Sequence, residues 1–204
     1  MVSRISVLAL TAFVVATAAQ ADVSTDPSRA PSGAYTVEPR HTQVLFAIPH
    51  FGITDFYGRF EKISGTLNFN ASAPEKSAVD VTIQMDSLNT PNATLNKELV
   101  ATDVFNTVQF PTATFKSTQV VKTGPTTGKI TGDLTLHGVT KPETLDVTFG
   151  GGTADPMSGG HDIGFHGTLT IKRSDFGITG MAWNSLVGDD VKLIIEALFV
   201  QQKK

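Results

Sequence analysis

The stretch Val79-Asp80-Val81-Thr82-Ile83-Gln84-Met85-Asp86 decides the fold. Its apolar residues occupy every second position, and the positions between them are polar. Successive side chains of a β-strand point to opposite faces, so this alternation places all the apolar side chains on one face. The stretch therefore predicts a strand with one apolar face and one polar face.

Seven other segments are also predicted as strands with a period of two, although residues 44–49 are apolar on both faces. They cover residues 44–49, 65–70, 112–121, 130–137, 145–149, 163–171 and 191–199. Turn residues separate the segments, and Gly150–Gly152 is among the predicted turns. One segment departs from the pattern: Pro91, at a favourable first-turn position, precedes Leu95 and Leu99, which are four residues apart. It predicts a short helix over residues 93–101 that covers one end of the sheet.

Strands with a single apolar face must bury that face, and a sheet that closes on itself does so without leaving unpaired edges. The prediction is an all-β fold, a single antiparallel eight-stranded barrel with one short helix. A barrel of this size is either filled by side chains or wide enough for one small ligand. The alternation alone does not distinguish these two interiors.

The N-terminus predicts export. Arg4 is followed by an apolar run over residues 5–16 and by Ala19-Gln20-Ala21, the order of a cleavable signal peptide over residues 1–21. The run is shorter than the ~20 residues that a membrane-spanning helix needs. Residues 22–33 are rich in Ser, Pro and Ala and are predicted as a flexible tether, so the barrel domain covers residues 34–204.

Composition excludes several classes of protein. The chain has no cysteine, and its net charge of −3 argues against nucleic acid as a partner. His161 and His166 are five apart and point to opposite faces of a strand, so they predict no metal site. Pairing of strands leaves open a cluster of His41, His50 and His137. No G-x-S-x-G motif marks a nucleophile, and no catalytic residue is predicted.

A signal peptide with eight strands also suits an outer-membrane barrel, whose apolar face points outward between aromatic girdles. This chain has 13 Phe but one Trp and two Tyr, which is too few for girdles. We therefore expect the apolar face to point inward and no stable insertion into a membrane. The polar strand faces carry Asp80, Asp86, Asp133, Asp146, Lys192 and Glu196.

Several motifs resemble the YceI-like family. They follow the family's order along the predicted barrel domain and comprise residues 35–38 (Tyr-Thr-Val-Glu), 41–50 (His-Thr-Gln-Val-Leu-Phe-Ala-Ile-Pro-His), 58–60 (Gly-Arg-Phe), 65–69 (Gly-Thr-Leu-Asn-Phe), 110–117 (Phe-Pro-Thr-Ala-Thr-Phe-Lys-Ser), 134–142 (Leu-Thr-Leu-His-Gly-Val-Thr-Lys-Pro) and 173–177 (Arg-Ser-Asp-Phe-Gly). One motif departs from the family: the helix reads Leu95-Asn96-Lys97-Glu98-Leu99, where an Arg-Asp-x-His-Leu-like motif is usual. Polar roles of that motif are not carried over.

The resemblance implies a lipocalin-like barrel in the periplasm with an elongated cavity for polyisoprenoid or related amphiphilic lipids. Isoprenoid quinones, polyprenyl phosphates and fatty-acid derivatives all remain open as ligands. Some family members look dimeric, so a homodimer also remains open. No covalent cofactor is implied.

Inward-facing apolar residues are the candidates for a lipid tunnel, although the same residues suit an ordinary filled core. They are Val44, Phe46, Ile48, Phe60, Leu67, Phe69, Val81, Ile83, Phe115, Leu134, Leu136, Val147, Phe149, Phe165, Leu169, Leu193 and Phe199. Four polar residues next to predicted turns are candidates for contact with a ligand head group: His50, Arg59, Arg173 and Trp183.

The sequence thus predicts a periplasmic binding protein that holds a long apolar lipid for transport, storage or stress protection. Two alternatives remain: an enzyme that acts on such a lipid, and a structural barrel with a filled core. An enzyme requires a titratable group within reach of the reacting atom, and no convergent pair is evident from the sequence.

Overall fold

The computed structural model describes residues 22–156, 158–180 and 185–202. The predicted signal peptide and Trp183 lie outside these residues. Eleven strand segments and one helix, α1 (Ala93–Leu99), form the fold. The segments are β1 (Gly33–Val37), β2 (Gln43–His50), β3 (Thr54–Phe60), β4 (Ile63–Phe69), β5 (Ala78–Gln84), β6 (Leu88–Asn89), β7 (Thr112–Lys122), β8 (Thr127–Leu136), β9 (Val139–Ala154), β10 (His161–Lys172) and β11 (Asp190–Gln201).

The segments form a closed barrel of eight antiparallel strands, as predicted. The first three strands are each divided into two consecutive halves, β1 with β2, β3 with β4, and β5 with β6. Strand β11 closes the ring, because it pairs with β10 on one side and with both β2 and β1 on the other. Each predicted strand is confirmed, and the half-strands β1, β3 and β6 were not among the predicted segments. In β3, Gly58 and aromatic residues of both parities obscure the alternation.

The apolar parity faces the barrel interior, as expected from the sequence. Val44, Leu67, Leu134 and Phe199 are all less than a tenth exposed. The polar faces of the same strands point outward, and all six of the charged residues named above are exposed. No helix among the described residues is long and apolar enough to cross a membrane.

Two sets of connections form the ends of the barrel. The helix end comprises the β2–β3 turn (51–53), residues 90–111 with α1, the β8–β9 turn (137–138) and residues 173–180 and 185–189. The N-terminal end comprises residues 22–32, the loops 70–77 and 123–126, and residues 155–156 and 158–160.

Helix α1 lies at the helix end, where the sequence places it, but it begins and ends differently. The side chain of Asn92 accepts hydrogen bonds from the backbone N–H groups of Thr94 and Leu95, at 3.0 and 3.1 Å, and so caps the helix. Pro91 therefore precedes the helix and does not belong to its first turn, and the helix ends at Leu99, two residues short of the predicted 101.

The segment predicted as a tether packs against the barrel instead. Ser24 and Gly152 exchange backbone hydrogen bonds of 2.9 and 2.8 Å, and Ala30 is buried. The hydroxyl of Tyr35 donates a 2.7 Å hydrogen bond to the carbonyl of Pro31. Backbone hydrogen bonds provide a large part of the attachment of this segment to the barrel. Such pairing does not require apolar side chains at regular intervals, so the sequence showed no apolar period here.

Gly150–Gly152 lie inside strand β9, so their prediction as a turn is wrong. The pairing of β9 with β10 shifts register beside Gly150, which is typical of a β-bulge. Val23 Cγ1 lies only 3.0 Å from the position that a Gly151 Cβ would occupy. The glycines therefore mark a bulge and a close approach of the N-terminal segment.

The junction of β1 and β2 is held by the carboxylate of Glu38. Its two oxygens accept hydrogen bonds from Arg40 Nε at 2.9 Å and from the backbone N–H of His41 at 2.9 Å, and His41 Nδ1 lies 2.6 Å away. Burial raises the pKa of Glu38, but the hydrogen bonds from Arg40 and His41 outweigh burial and lower the pKa to about 2.

The buried guanidinium of Arg173 connects residues 173–180 with residues 185–189. Its Nη1 donates to the carbonyl of Ile178 at 2.8 Å, and its Nε donates to the carbonyl of Gly188 at 2.9 Å. These hydrogen bonds hold the loop across the helix end.

Arg173→Met should lower the free energy of unfolding by about 2–4 kcal/mol, because buried carbonyls lose their charged donor. Arg59→Met is the matched control. Arg59 forms an exposed ion pair with Glu61, so its loss should cost less than about 1 kcal/mol. Urea denaturation of both variants measures the difference, and equal losses would contradict the role of Arg173.

Glu38→Gln should destabilise the protein at neutral pH. Because folding lowers the pKa of Glu38 from 4.5 to about 2, the stabilisation is present above the unfolded value and disappears as the pH falls towards the folded value. The stability gap between wild type and Glu38→Gln should therefore narrow below about pH 4.5. Urea denaturation across this range measures it, with Glu75→Gln, in an exposed loop, as the control. A gap that does not change with pH would refute the assignment.

Candidate functional site

The helix-end half of the barrel encloses a cavity of about 290 Å³. Strand residues such as Phe46 and Ile171 form its wall, while Leu95, Leu99, Val104 and Phe105 cover it from α1 and the residues after it. His50, Leu186 and Val187 lie at its edge. We call this space the helix-end cavity.

The other half of the barrel encloses a second cavity of about 260 Å³, the N-terminal cavity. Its wall is also apolar and includes Val79, Phe115 and Val147. Its outer edge is polar, with Asp26, Ser28, Ser77, Lys122 and Thr127 among the lining residues.

The two cavities meet at a waist formed by Val44, Ile83, Leu134 and Leu193, which line both spaces. These residues come from β2, β5, β8 and β11, which are spread around the ring. The waist is therefore made of side chains alone, and rotamer changes there would join the two cavities.

Five aromatic rings pack together in the N-terminal half. Ring centroids of Phe149 and Phe165 are 5.4 Å apart, and those of Phe165 and Phe199 are 6.0 Å apart. Phe69 contacts both Phe149 and Tyr35, at 6.4 and 6.3 Å. Burial raises the pKa of Tyr35 to about 12, so its hydroxyl stays protonated and remains a donor at neutral pH. This cluster fills one side of the barrel, and the N-terminal cavity occupies the remaining space.

Every residue predicted for the tunnel lines one of the two cavities. Phe46, Ile48, Phe60 and Leu136 line the helix-end cavity. The N-terminal cavity receives Leu67, Phe69, Val81, Phe115, Val147, Phe149, Phe165, Leu169 and Phe199, and the waist residues line both. The interior is thus partly hollow, which the alternation had left open. Whether these residues bind a ligand stays a prediction.

The predicted head-group residues do not form one cluster. His50 lines the helix-end cavity and is exposed, so it remains a candidate. Arg59 points away from the interior and pairs with Glu61 at 2.7 Å, because Gly58 and Phe60 take the inward parity. Arg173 lines the cavity, but its guanidinium is bonded to loop carbonyls. Trp183 lies outside the described residues.

Sequence reasoning missed the residues that close the two ends. Val104, Phe105, Leu186 and Val187 lie in irregular segments, where no period distinguishes an inward side chain. Of the polar edge of the N-terminal cavity, Asp26, Ser28 and Ser77 also lie outside the strands, whereas Lys122 and Thr127 are terminal residues of β7 and β8. Leu95 and Leu99 were predictable, because their spacing of four residues indicated a helix that covers one end of the barrel.

The histidines are held by separate partners. His41 contacts Glu38, the His50 ring packs edge-to-face on Phe51 with ring centroids 4.5 Å apart, and His137 Nδ1 lies 3.1 Å from the carbonyl of Phe176. Among the described residues, no group of three His, Asp or Glu side chains is placed to hold a metal ion.

A shallow depression on the outer face lies over Gly150–Gly152. His166 and Glu196 form an ion pair of 2.5 Å on its wall. Among the described residues, Asp162 Oδ1 is buried without a hydrogen-bond partner, and burial, with Asp155 nearby, raises the pKa of its carboxyl group. This depression is separate from the apolar interior.

The interior can hold apolar groups by removing them from water, since its walls consist of Phe, Leu, Ile and Val side chains. A polar head group would find partners only at the two ends of the barrel. The arrangement therefore suits a long molecule with an apolar tail.

Comparison with known proteins agrees with this geometry. Residues 35–199 match the model of the YceI-like domain. A UPF0312 protein of Pseudomonas savastanoi pv. phaseolicola is 43% identical over 143 residues, which are 70% of this chain and 74% of that protein.

Solved structures show the same fold. A YCEI protein of Campylobacter jejuni has a TM-score of 0.67 and 34% identity, over 74% of this chain and 88% of that chain. A polyisoprenoid binding domain from Saccharophagus degradans has a TM-score of 0.61 over 82% of this chain and 98% of that chain, and at 17% identity it supports the fold alone. The chain belongs to the family of YceI-like domains.

Proposed function

We propose that this protein is a carrier that holds a polyisoprenoid or similar long-chain lipid in its barrel and does not transform it. The observation that carries the proposal is the pair of apolar cavities that meet at the waist. The Saccharophagus degradans domain, which shares the fold, is described as polyisoprenoid binding. A linear tail with isoprenoid branches is the class of ligand that suits this interior.

The shape of the interior favours a linear chain. Strand β11 has 12 residues, so at ~3.3 Å per residue it is about 40 Å long. Each cavity alone lies near or below the lower limit of ~300 Å³ for small-molecule pockets, whereas both together lie within the usual range. A ligand that gains the full apolar contact must therefore pass the waist.

Binding without turnover is favoured by the chemistry of the lining. The titratable residues on the described lining are His50 and Arg173 in the helix-end cavity and Asp26 and Lys122 at the outer edge of the N-terminal cavity, and Arg173 is engaged with carbonyls. A general acid or base must be within hydrogen-bond reach of the reacting atom, and a second group is usually needed to orient it. No observation of this structure favours an enzyme over a binding protein.

We further propose that the carrier works in the periplasm. The support is the signal-peptide pattern of residues 1–21. Transport, storage and stress protection of a lipid would each use the same interior.

Binding is tested with geranylgeraniol, a neutral linear isoprenoid alcohol, titrated into protein that has first been stripped of lipid. We expect saturable binding at one molecule per barrel, detected by native mass spectrometry. Leu134→Asp places a carboxylate in the wall and should abolish binding, while Asp133→Leu, on the outer face of the same strand, should leave it unchanged. Circular dichroism shows whether Leu134→Asp folds, and Val44→Asn is the substitute if it does not. An intact barrel that takes up no isoprenoid alcohol would refute the proposal.

The waist should set the length of ligand that binds. Val44→Phe narrows the waist, so affinity for geranylgeraniol should fall by at least about tenfold, while the affinity for the shorter geraniol changes little. Val191→Phe is the control, because Val191 lines the helix-end cavity and not the waist. Calorimetric titration of both alcohols against both variants measures the effect. Equal losses for the two alcohols in Val44→Phe would show that no ligand crosses the waist.

A further inference from the structure

Three apolar side chains are exposed together at the helix end. Phe51 and Ile53, in the β2–β3 turn, are 56% and 83% exposed, and Leu186, in the loop before β11, is 38% exposed. The backbone N–H of Phe51 donates a 2.8 Å hydrogen bond to the carbonyl of Leu186, so the two segments are neighbours. We call these residues the helix-end rim.

The backbone conformation at position 51 of the rim is unfavourable for a phenylalanine. Phe51 and Gly52 have φ values of 54° and 67°, and the turn is closed by a 3.1 Å hydrogen bond from Ile53 N–H to the His50 carbonyl. Turns with two such residues favour Asn, Asp and Gly, and a bulky side chain in this conformation costs free energy. The Phe51 ring contacts His50 but stays mostly in water. Contacts among the described residues therefore do not account for a phenylalanine here.

The rim borders the helix-end cavity. His50, Leu186 and Val187 line that cavity, and the backbone N–H of Phe51 is hydrogen-bonded to the carbonyl of Leu186. Gly188 N–H donates a 2.7 Å hydrogen bond to the Pro49 carbonyl, which fixes the two segments against each other. A surface that covered the rim would also lie over this edge of the cavity.

The charges around the rim indicate what kind of surface it fits. Residues 49–54 and 185–188 contain no Asp, Glu, Lys or Arg. Three carboxylates flank them, from Asp55, Asp189 and Asp190. Asp190 is paired with Lys172, and hydrogen bonds from Ser174 lower the pKa of Asp189, which keeps it ionised. An anionic surface would be repelled, whereas a neutral apolar one would not.

We propose that the helix-end rim docks onto a neutral lipid bilayer by inserting Phe51, Ile53 and Leu186 at the interface. This inference rests on the proposed function, because a barrel that carries an insoluble lipid must exchange it with a bilayer. Apolar side chains at an interface gain free energy in proportion to the apolar area that they bury. Docking at this place would join the helix-end cavity to the bilayer and keep the lipid tail out of water. Contact by three side chains is reversible and differs from insertion of the barrel.

Co-sedimentation with phosphatidylcholine vesicles tests the docking surface. The variant is Phe51→Asn with Ile53→Asn, and Asn suits the positive φ of position 51, so the turn should be retained. We expect its partition onto the vesicles to fall by at least about tenfold relative to wild type. Val23→Asn is the control, since Val23 is 59% exposed at the opposite end, and it should partition like wild type. Raising the salt from about 0.1 to about 1 M should leave wild-type binding nearly unchanged.

Three results would overturn the proposal: equal partition of the rim variant and wild type, no binding of wild type to the vesicles, or a rim variant that changes only the oligomeric state in sedimentation. The last result would make a second copy of the chain the occupant of the rim. Uptake of geranylgeraniol from solution, measured in parallel, separates this proposal from the carrier function. Failure of the wild-type protein to bind the vesicles, with normal uptake, rejects the rim alone, and failure of uptake rejects the carrier, whatever the vesicles show.

Discussion

The structure depends on the backbone pairing of strand β11. Its residues 192–196 pair with β2, its residues 199–201 pair with β1, and its other edge pairs with β10 along the whole strand. Leu198 lies between the two partners, and there its N–H and carbonyl are met by the hydroxyl of Thr42 at 3.0 and 3.2 Å. Closure at this seam turns an apolar sheet face into an enclosed space. With no cysteine in the chain, this space is maintained by hydrogen bonds and packing alone.

A closed barrel can be filled or hollow, and which of the two it is depends on how far the inward-facing side chains fill the interior. The aromatic cluster of Phe69, Phe149, Phe165 and Phe199 fills one side of the N-terminal half. The helix-end half is covered by α1 and by the loop that Arg173 holds, both of which lie over the ring and do not fill it. Protein interiors are normally packed without voids larger than a water molecule, so two apolar cavities in one small barrel are an unusual feature. A lipid tail would restore the missing contacts.

The alternation of residues such as Val79 to Asp86 was enough to predict the strands, their inward faces and closure. The same alternation places Arg59 on the outer face, because its neighbour Phe60 faces inward. The prediction that Arg59 contacts a ligand head group was inconsistent with this alternation. Arg173 follows directly after β10, in a short 3-10 helix where strand parity no longer applies, so its burial was not predictable. Residues 22–32 and the loop residues Phe105 and Leu186 are placed by backbone hydrogen bonds and by distant packing. Cavity volume depends on all these placements together, which is why the alternation left both hollow and filled barrels open.

The two ends of the barrel differ in a way that the sequence did not show. The N-terminal end presents polar side chains around its cavity, among them Lys122 and Ser28, while the helix end presents Phe51, Ile53 and Leu186. The central claim remains that the interior is an apolar space occupied by a lipid. Electron density inside the barrel of protein crystallised without any removal of lipid tests it most directly. The account predicts continuous tubular density that runs from the helix-end cavity through the waist, and empty cavities or ordered water in their place would contradict it.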